Sequence, residues 1–511
     1  MTKQIVNEQP VQTVAQTRKK NYAIEFWRFF FAVAICGYHI GTIYAKTIGI
    51  AATSIMAGAG EILFVFTLTA GYFLVKHFKR LQANPEYSAR SATGRAAEYI
   101  WDRMKALLPV LALGIVLGVV STTIFRGYEW NVALLSVVNG LWEFLGLYSA
   151  GYNAALGQAN GAMWFISGLL ICSYFLYWIL CKREDLLAGF IAPFLFVFCG
   201  GWWAYTGTRA AQGGWSTYGA QLGSGTGTTG NGATSAALGF NNGLMFVVVG
   251  MCGGVILYYV IDYLKKKNFG VGAKVALTIL YVVVATVLVV YTVNPMLVAG
   301  EYRISGTNVI PATHSFYRWT AHLLCMLLVG LTLLEKDYIT QLLNNRFTAK
   351  IFGFLGGMAL YVYMIHCPFI FLYSHWRGIN AATLSAGAVA PFTFAEVYGV
   401  VMAIAIGLGV VIKFLMDKFV LKKYPSKKKA VAAEAPVAEV AAPVEEVKAE
   451  PVKKAPAKKP AAKTAAKAPA KKVEAPKAPA KKAPAKKAEP AKAPAKTVAK
   501  KPATKTTKKS K

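Results

Sequence analysis

In the run RFFFAVAICGYH an arginine and a histidine, Arg28 and His39, stand eleven residues apart in otherwise almost wholly apolar chain. On an α-helix eleven steps of about 100° end roughly 20° past three full turns, so both side chains share one face, separated by about 16 Å along the axis. A guanidinium is a fixed cation suited to phosphate oxygens. An imidazole titrates near neutrality and is suited to taking a proton from a hydroxyl. Ionisable groups inside apolar segments are costly and mark sites or conduction paths. For Arg28 alone, snorkelling toward headgroups is an equally good account.

Three further places carry such groups. Glu61 lies about six residues into the second apolar segment, at a depth matching His39, where a carboxylate would accept the second ring N–H of the imidazole. The alternative is a hydrated glutamate at a loop end. His366, in YVYMIHCPF, falls at middle to outer depth, although a lone buried histidine is commonly structural. Arg103 and Lys105 open the third segment in WDRMKALLP. They read as edge anchors or, with Arg28, as a cationic cup for phosphates. A low phosphate site and a high base suggest a donor from the cytoplasm and an acceptor outside.

The elements that must position these groups follow from composition. Of 511 residues, 55% are hydrophobic and only 15% charged, which excludes an ordinary soluble globular protein. Ten stretches are long and apolar enough to cross a bilayer as helices, near 22–45, 55–75, 106–125, 163–181, 187–206, 240–263, 274–293, 316–334, 351–374 and 392–417. A weaker eleventh near 131–149 contains Asn139 and Glu143 and reads as interfacial or re-entrant. The fold class is thus an all-α integral membrane protein of about ten transmembrane helices. The first helix acts as an uncleaved anchor, because the polar segment before it lacks a signal-peptide core.

Cations flank every second connection: Arg18 to Lys20, the stretch from Lys76 to Lys105, Lys182 and Arg183, Lys265 to Lys267, Lys336 and Arg346, and Lys418 onward. Positively charged connections stay in the cytoplasm, which places both termini there in a multi-pass protein of the cell membrane. The seven cysteines lie in or at the ends of these segments, so a disulfide framework is not expected.

Three regions follow: an N-terminal cytoplasmic segment 1–21, a membrane domain 22–420, and a tail 421–511 of Lys, Ala and Pro. From Ser426 onward the tail holds 25 lysines against seven glutamates, +18 of the formal +33. Such a composition builds no core and is expected to be disordered. It reads as a polycation near anionic lipid headgroups in preference to a nucleic-acid binder, and no specific nucleic acid is expected. The connection GTRAAQGGWSTYGAQLGSGTGTTGNG, with Trp215 and Tyr218, is either a flexible linker or a loop facing carbohydrate.

Taken in order, four pieces resemble the membrane-bound acyltransferase type 3 family over residues 20 to 420. They are Arg28 and His39 with IEFWRFF before them, LFVFTLTAGYFL with Ala70 where the family has serine, RMKALLP, and LYVYMIHCPF; MWFISGLL is similar to a weaker Trp motif. The resemblance implies O-acylation of cell-surface glycans or lipids. Acyl-coenzyme A, most often acetyl-CoA, would be the donor, with its phosphates near Arg28, Arg103 and Lys105. His39 would act as general base or acyl carrier, with Glu61 and His366 also catalytic and Trp164 and Tyr363 at the substrate. The acceptor would be an extracytoplasmic glycan or lipid-linked sugar, and no metal is expected. The rival reading is a secondary transporter or flippase, whose intramembrane charges would line a substrate path.

Overall fold

The computed structural model describes residues 20–44, 56, 58–127, 129–144, 160, 162–211, 242–294, 303–305, 308–309, 315–379, 393–416 and 418. All lie in one unit, Met1–Ala435. Trp215, Tyr218 and the Lys/Ala/Pro tail fall outside the described residues.

The first span is one unbroken helix, α1 (Tyr22–Tyr44), so Arg28 and His39 keep the one-stripe relationship that their spacing requires. The second is broken at Leu63 into α2 (Ala59–Ile62) and α3 (Phe64–Gln82). A short α4 (Pro85–Ala89), N-capped by Asn84, leads to α5 (Ala92–Arg126). At 35 residues, α5 is about 52 Å long and outreaches a hydrocarbon core of about 30 Å. Its N-terminal turns, capped by Ser91, therefore extend beyond the apolar span 106–125.

Next come α6 (Trp130–Phe144), α7 (Met163–Lys182), α8 (Glu184–Leu186), a π-helical turn Leu187–Ile191, and α9 (Ala192–Ala211). They are followed by α10 (Asn242–Lys265), α11 (Val271–Val293) and a small hairpin, β1 (Arg303–Ser305) with β2 (Asn308–Val309). The remainder is α12 (Ser315–Leu334), α13 (Tyr338–Leu343), α14 (Arg346–Trp376) and α15 (Thr393–Leu415). Among the described residues nine helical segments are long and apolar enough to cross a membrane, and Trp319–Leu334 is a shorter apolar helix at the tenth expected place. The described part of α6 packs along α5, and the rest of the weaker stretch 131–149 lies outside the described residues.

Glycines set the helix crossings that matter for the site. A Cβ on Gly71 would strike the Met251 carbonyl, and one on Gly254 the Leu68 carbonyl, so α3 and α10 cross backbone to backbone. Close approach at small residues is how helices gain packing in a bilayer, where lipid offers no hydrophobic drive between them. Gly353 lies against Tyr22 and Gly356 against Glu25, while further along His39 meets His366, so α1 and α14 run in parallel. Helix α15 is antiparallel to them, placing Tyr398 near Gly37 of α1 and Lys413 near Gly357 of α14.

Candidate active site

A cavity of about 260 Å³ opens between α1, α3, α5, α7 and α14. Each long wall is one helical face: Phe66, Thr69, Ala70 and Phe73 on α3, Tyr99, Arg103 and Leu107 on α5, and Phe165, Leu169 and Ser173 on α7. Eight to nine residues per wall correspond to about 11–12 Å, so the cavity is elongated along the helix axes. Arg28, Arg103 and Tyr99 stand toward the end where α1 and α5 begin. Phe165 and Tyr363 stand toward the other.

Arg28 is held by the carboxylate of Glu25, 3.3 Å away, one turn earlier on the same helix. Lys20 also reaches Glu25 at 3.3 Å. Glu25 is only 10% exposed where Arg28 is 35% exposed, so the carboxylate acts as a buried anchor and the guanidinium faces the cavity. One carboxylate against two cations leaves a local surplus of positive charge, to which Arg103 adds. The Arg103 guanidinium lies 4.6 Å over the Tyr99 ring, which fixes its direction by cation–π attraction.

Lys105 does not join this group. Its ammonium pairs with Asp102 at 2.8 Å on the exposed side of α5 and lies outside the cavity lining, which corrects the expectation of a three-cation cup. Two residues beyond Arg103 is about 200° around a helix, so the two side chains point nearly opposite ways.

Beyond the far end of the cavity lies a pair of imidazoles. Tyr363 lines the cavity and its ring is 5.9 Å from that of His366; the His366 ring in turn is 5.1 Å from that of His39. His366 Nδ1 lies 3.1 Å from the Val362 carbonyl one turn back, so Nδ1 carries the hydrogen and donates, leaving Nε2 as acceptor. Cys367 Sγ is 3.2 Å from that Nε2. His39, His366 and Cys367 offer nitrogen and sulfur atoms that all fall within 4.8 Å of one another.

Tyr363 is positioned by a polar clamp absent from the sequence reading. Its hydroxyl donates to the Ala162 carbonyl at 3.2 Å. Buried Asn160 donates to the carbonyls of Gly114 at 3.0 Å and Met364 at 2.9 Å, and accepts from the Ala162 amide at 3.0 Å. One side chain thereby ties α5, α14 and the start of α7 together.

Two expected partners are placed elsewhere. Glu61 pairs with His322, whose Nε2 lies 3.0 Å from its carboxylate; His322 is 2% exposed and stacks on Phe64 with ring centres 4.0 Å apart. The expectation for His39 matched depth but overlooked a histidine on α12, which TAHLLCM shows as a lone polar ring in an apolar run. Trp164 packs edge-on to Phe165 and Phe246, and it is its neighbour Phe165 that faces the cavity.

A bundle of long apolar helices with polar groups gathered inside it and an elongated interior cavity is a multi-pass membrane protein. The chain belongs to the acyltransferase type 3 family: the family model, an acyltransferase domain, matches residues 21–414. No curated protein and no solved structure gives a match. The protein is therefore a membrane acyltransferase.

Proposed function

We propose that the chain moves an acyl group, acetyl in the simplest case, from cytoplasmic acyl-CoA to a hydroxyl of an extracytoplasmic glycan or glycolipid. One relationship carries this reading: an elongated cavity with Arg28 and Arg103 toward one end and, past Tyr363 at the other, the His39–His366 pair. The cationic end is the one flanked by the lysines and arginines expected in the cytoplasm. Coenzyme phosphates would bind there through charge-assisted hydrogen bonds, and the apolar walls would take the pantetheine arm.

At the far end a ring nitrogen of His39 takes the proton of the acceptor hydroxyl as its oxygen attacks the thioester carbonyl. The C–S bond then breaks, and the coenzyme leaves as a thiol after receiving a proton. General base assistance of this kind is worth about 10² to 10⁴ in rate. His366 supports the step as a neutral ring beside the imidazolium that forms, the two ring centres being 5.1 Å apart. With its Nδ1–H donated to Val362, His366 brings no second N–H against that cation.

The test uses inverted membrane vesicles containing the full chain, supplied with acetyl-CoA radiolabelled in the acetyl group. Label should appear on a lumenal glycan or lipid, and His39→Ala should abolish it while the protein still accumulates in the membrane. Full transfer by the His39→Ala protein would refute the role given to this residue.

A further inference from the structure

The cysteine beside the two histidines takes no part in the proposed transfer, yet its placement is specific. Around a tetrahedral zinc ion, with Zn–S about 2.3 Å and Zn–N about 2.0–2.1 Å, donor atoms stand about 3.3–3.8 Å apart. His366 Nε2 and Cys367 Sγ are already 3.2 Å apart, and a ring nitrogen of His39 completes a triangle in which no side exceeds 4.8 Å. Sub-ångström side-chain shifts would bring all three donors to a common centre.

A second observation concerns orientation. Metal-bound histidines nearly always donate the other ring N–H to a carbonyl or carboxylate, which fixes tautomer and direction. His366 does this through Nδ1 and the Val362 carbonyl, which leaves Nε2 beside Cys367 Sγ at 3.2 Å. His366 and Cys367 sit at 0% and 7% exposure, and His39 comes from a different helix, so the donors converge from two packed elements in the interior of the bundle. Two imidazoles and a thiolate suit a borderline cation such as Zn²⁺, whereas Mg²⁺ and Ca²⁺ require oxygen donors.

We propose that His39, His366 and Cys367 form a Zn²⁺ site whose occupation switches acyl transfer off. Binding releases one proton, from the Cys367 thiol, and leaves a fourth coordination position for water or an anion. The ion takes the His39 lone pair that the transfer reaction needs, so a zinc-loaded molecule cannot accept the hydroxyl proton. The metal site stands on geometry alone; the inhibition rests on the role proposed for His39.

Cobalt serves as the spectroscopic probe. Full-length protein purified in detergent and titrated with Co²⁺ should show one equivalent of tetrahedral d–d bands and a thiolate-to-cobalt charge-transfer band. Zn²⁺ should displace both. In Cys367→Ser the charge-transfer band should vanish, and in His366→Gln cobalt affinity should fall at least tenfold. Transfer by the wild-type protein should fall at least tenfold at saturating Zn²⁺ and return with a chelator. Cys367→Ser, compared with itself with and without Zn²⁺, should lose that sensitivity. Absence of the bands, their persistence unchanged in Cys367→Ser, or transfer indifferent to saturating Zn²⁺ would each overturn the proposal. Transfer that survives His39→Ala without metal would instead remove the function proposed above and leave the cobalt bands of the wild-type protein intact.

Discussion

His39 on α1 and His366 on α14 place their rings 5.1 Å apart, centre to centre, on two helices that run in parallel. Neither residue is near the other in sequence, and the pair exists because Gly353 and Gly356 let α14 close onto the first turns of α1. If His366 supports His39 in the way proposed, His366→Ala should lower kcat about a hundredfold and leave the KM for acyl-CoA within about twofold. Steady-state kinetics in proteoliposomes reads both numbers, and a change confined to KM would place His366 in binding instead.

The cavity separates the three cations that the sequence groups together. A charge-assisted hydrogen bond contributes about 1.5–3 kcal/mol. Arg28→Ala and Arg103→Ala should therefore raise the KM for acyl-CoA by about tenfold or more, whereas Lys105→Ala, paired with Asp102 away from the cavity, should change it by less than about twofold. Equal losses from all three would show that the coenzyme leaves the cavity toward Lys105.

The Glu61–His322 pair predicts coupling between residues 261 positions apart. Glu61→Gln and His322→Ala should each lower thermal stability, and the double variant should fall short of the sum by about 0.5–3 kcal/mol, the range for residues in direct contact. Additive losses in a detergent melting series would mean that the two groups are not partners.

Asn160→Ala deletes the side-chain bonds to Gly114, Met364 and Ala162 and leaves the Tyr363 hydroxyl only its bond to the Ala162 carbonyl. Interhelical polar bonds in membranes are worth about 0.6–2 kcal/mol, so a measurable fall in melting temperature is expected. Freed from its clamp, Tyr363 should lose its fixed position, and transfer should fall with stability. Asn160→Asp, which keeps the acceptor but loses the amide donors, should behave like the alanine variant in the same assay.

Gly356→Ala tests the closeness of α1 and α14. The new Cβ would overlap the Glu25 side chain and approach its Cα to 2.9 Å, where backbone has to yield. Overpacking of this sort costs about 1–3 kcal/mol. Because Glu25 anchors Arg28, the KM for acyl-CoA should rise along with the loss of stability. A variant that melts as the wild type does, with unchanged KM, would contradict the helix contact.

The sequence by itself determined what is written within single helices. Segment length and hydropathy set the number of spans, because each must satisfy its own backbone inside a bilayer. The Arg28–His39 stripe follows from helical periodicity alone, and the ordered motifs from RFFFAVAICGYH to LYVYMIHCPF identify the family that the match over 21–414 establishes. Tertiary structure decided every contact between helices: Glu61 with His322, His39 with His366 and Cys367, the Asn160 clamp, and the exclusion of Lys105 and Trp164 from the cavity. The physical reason is that depth along a span can be counted in residues. Which neighbour a side chain meets depends instead on helix rotation and crossing, and close approaches at glycines such as Gly71, Gly254 and Gly356 fix these without leaving any periodic signal.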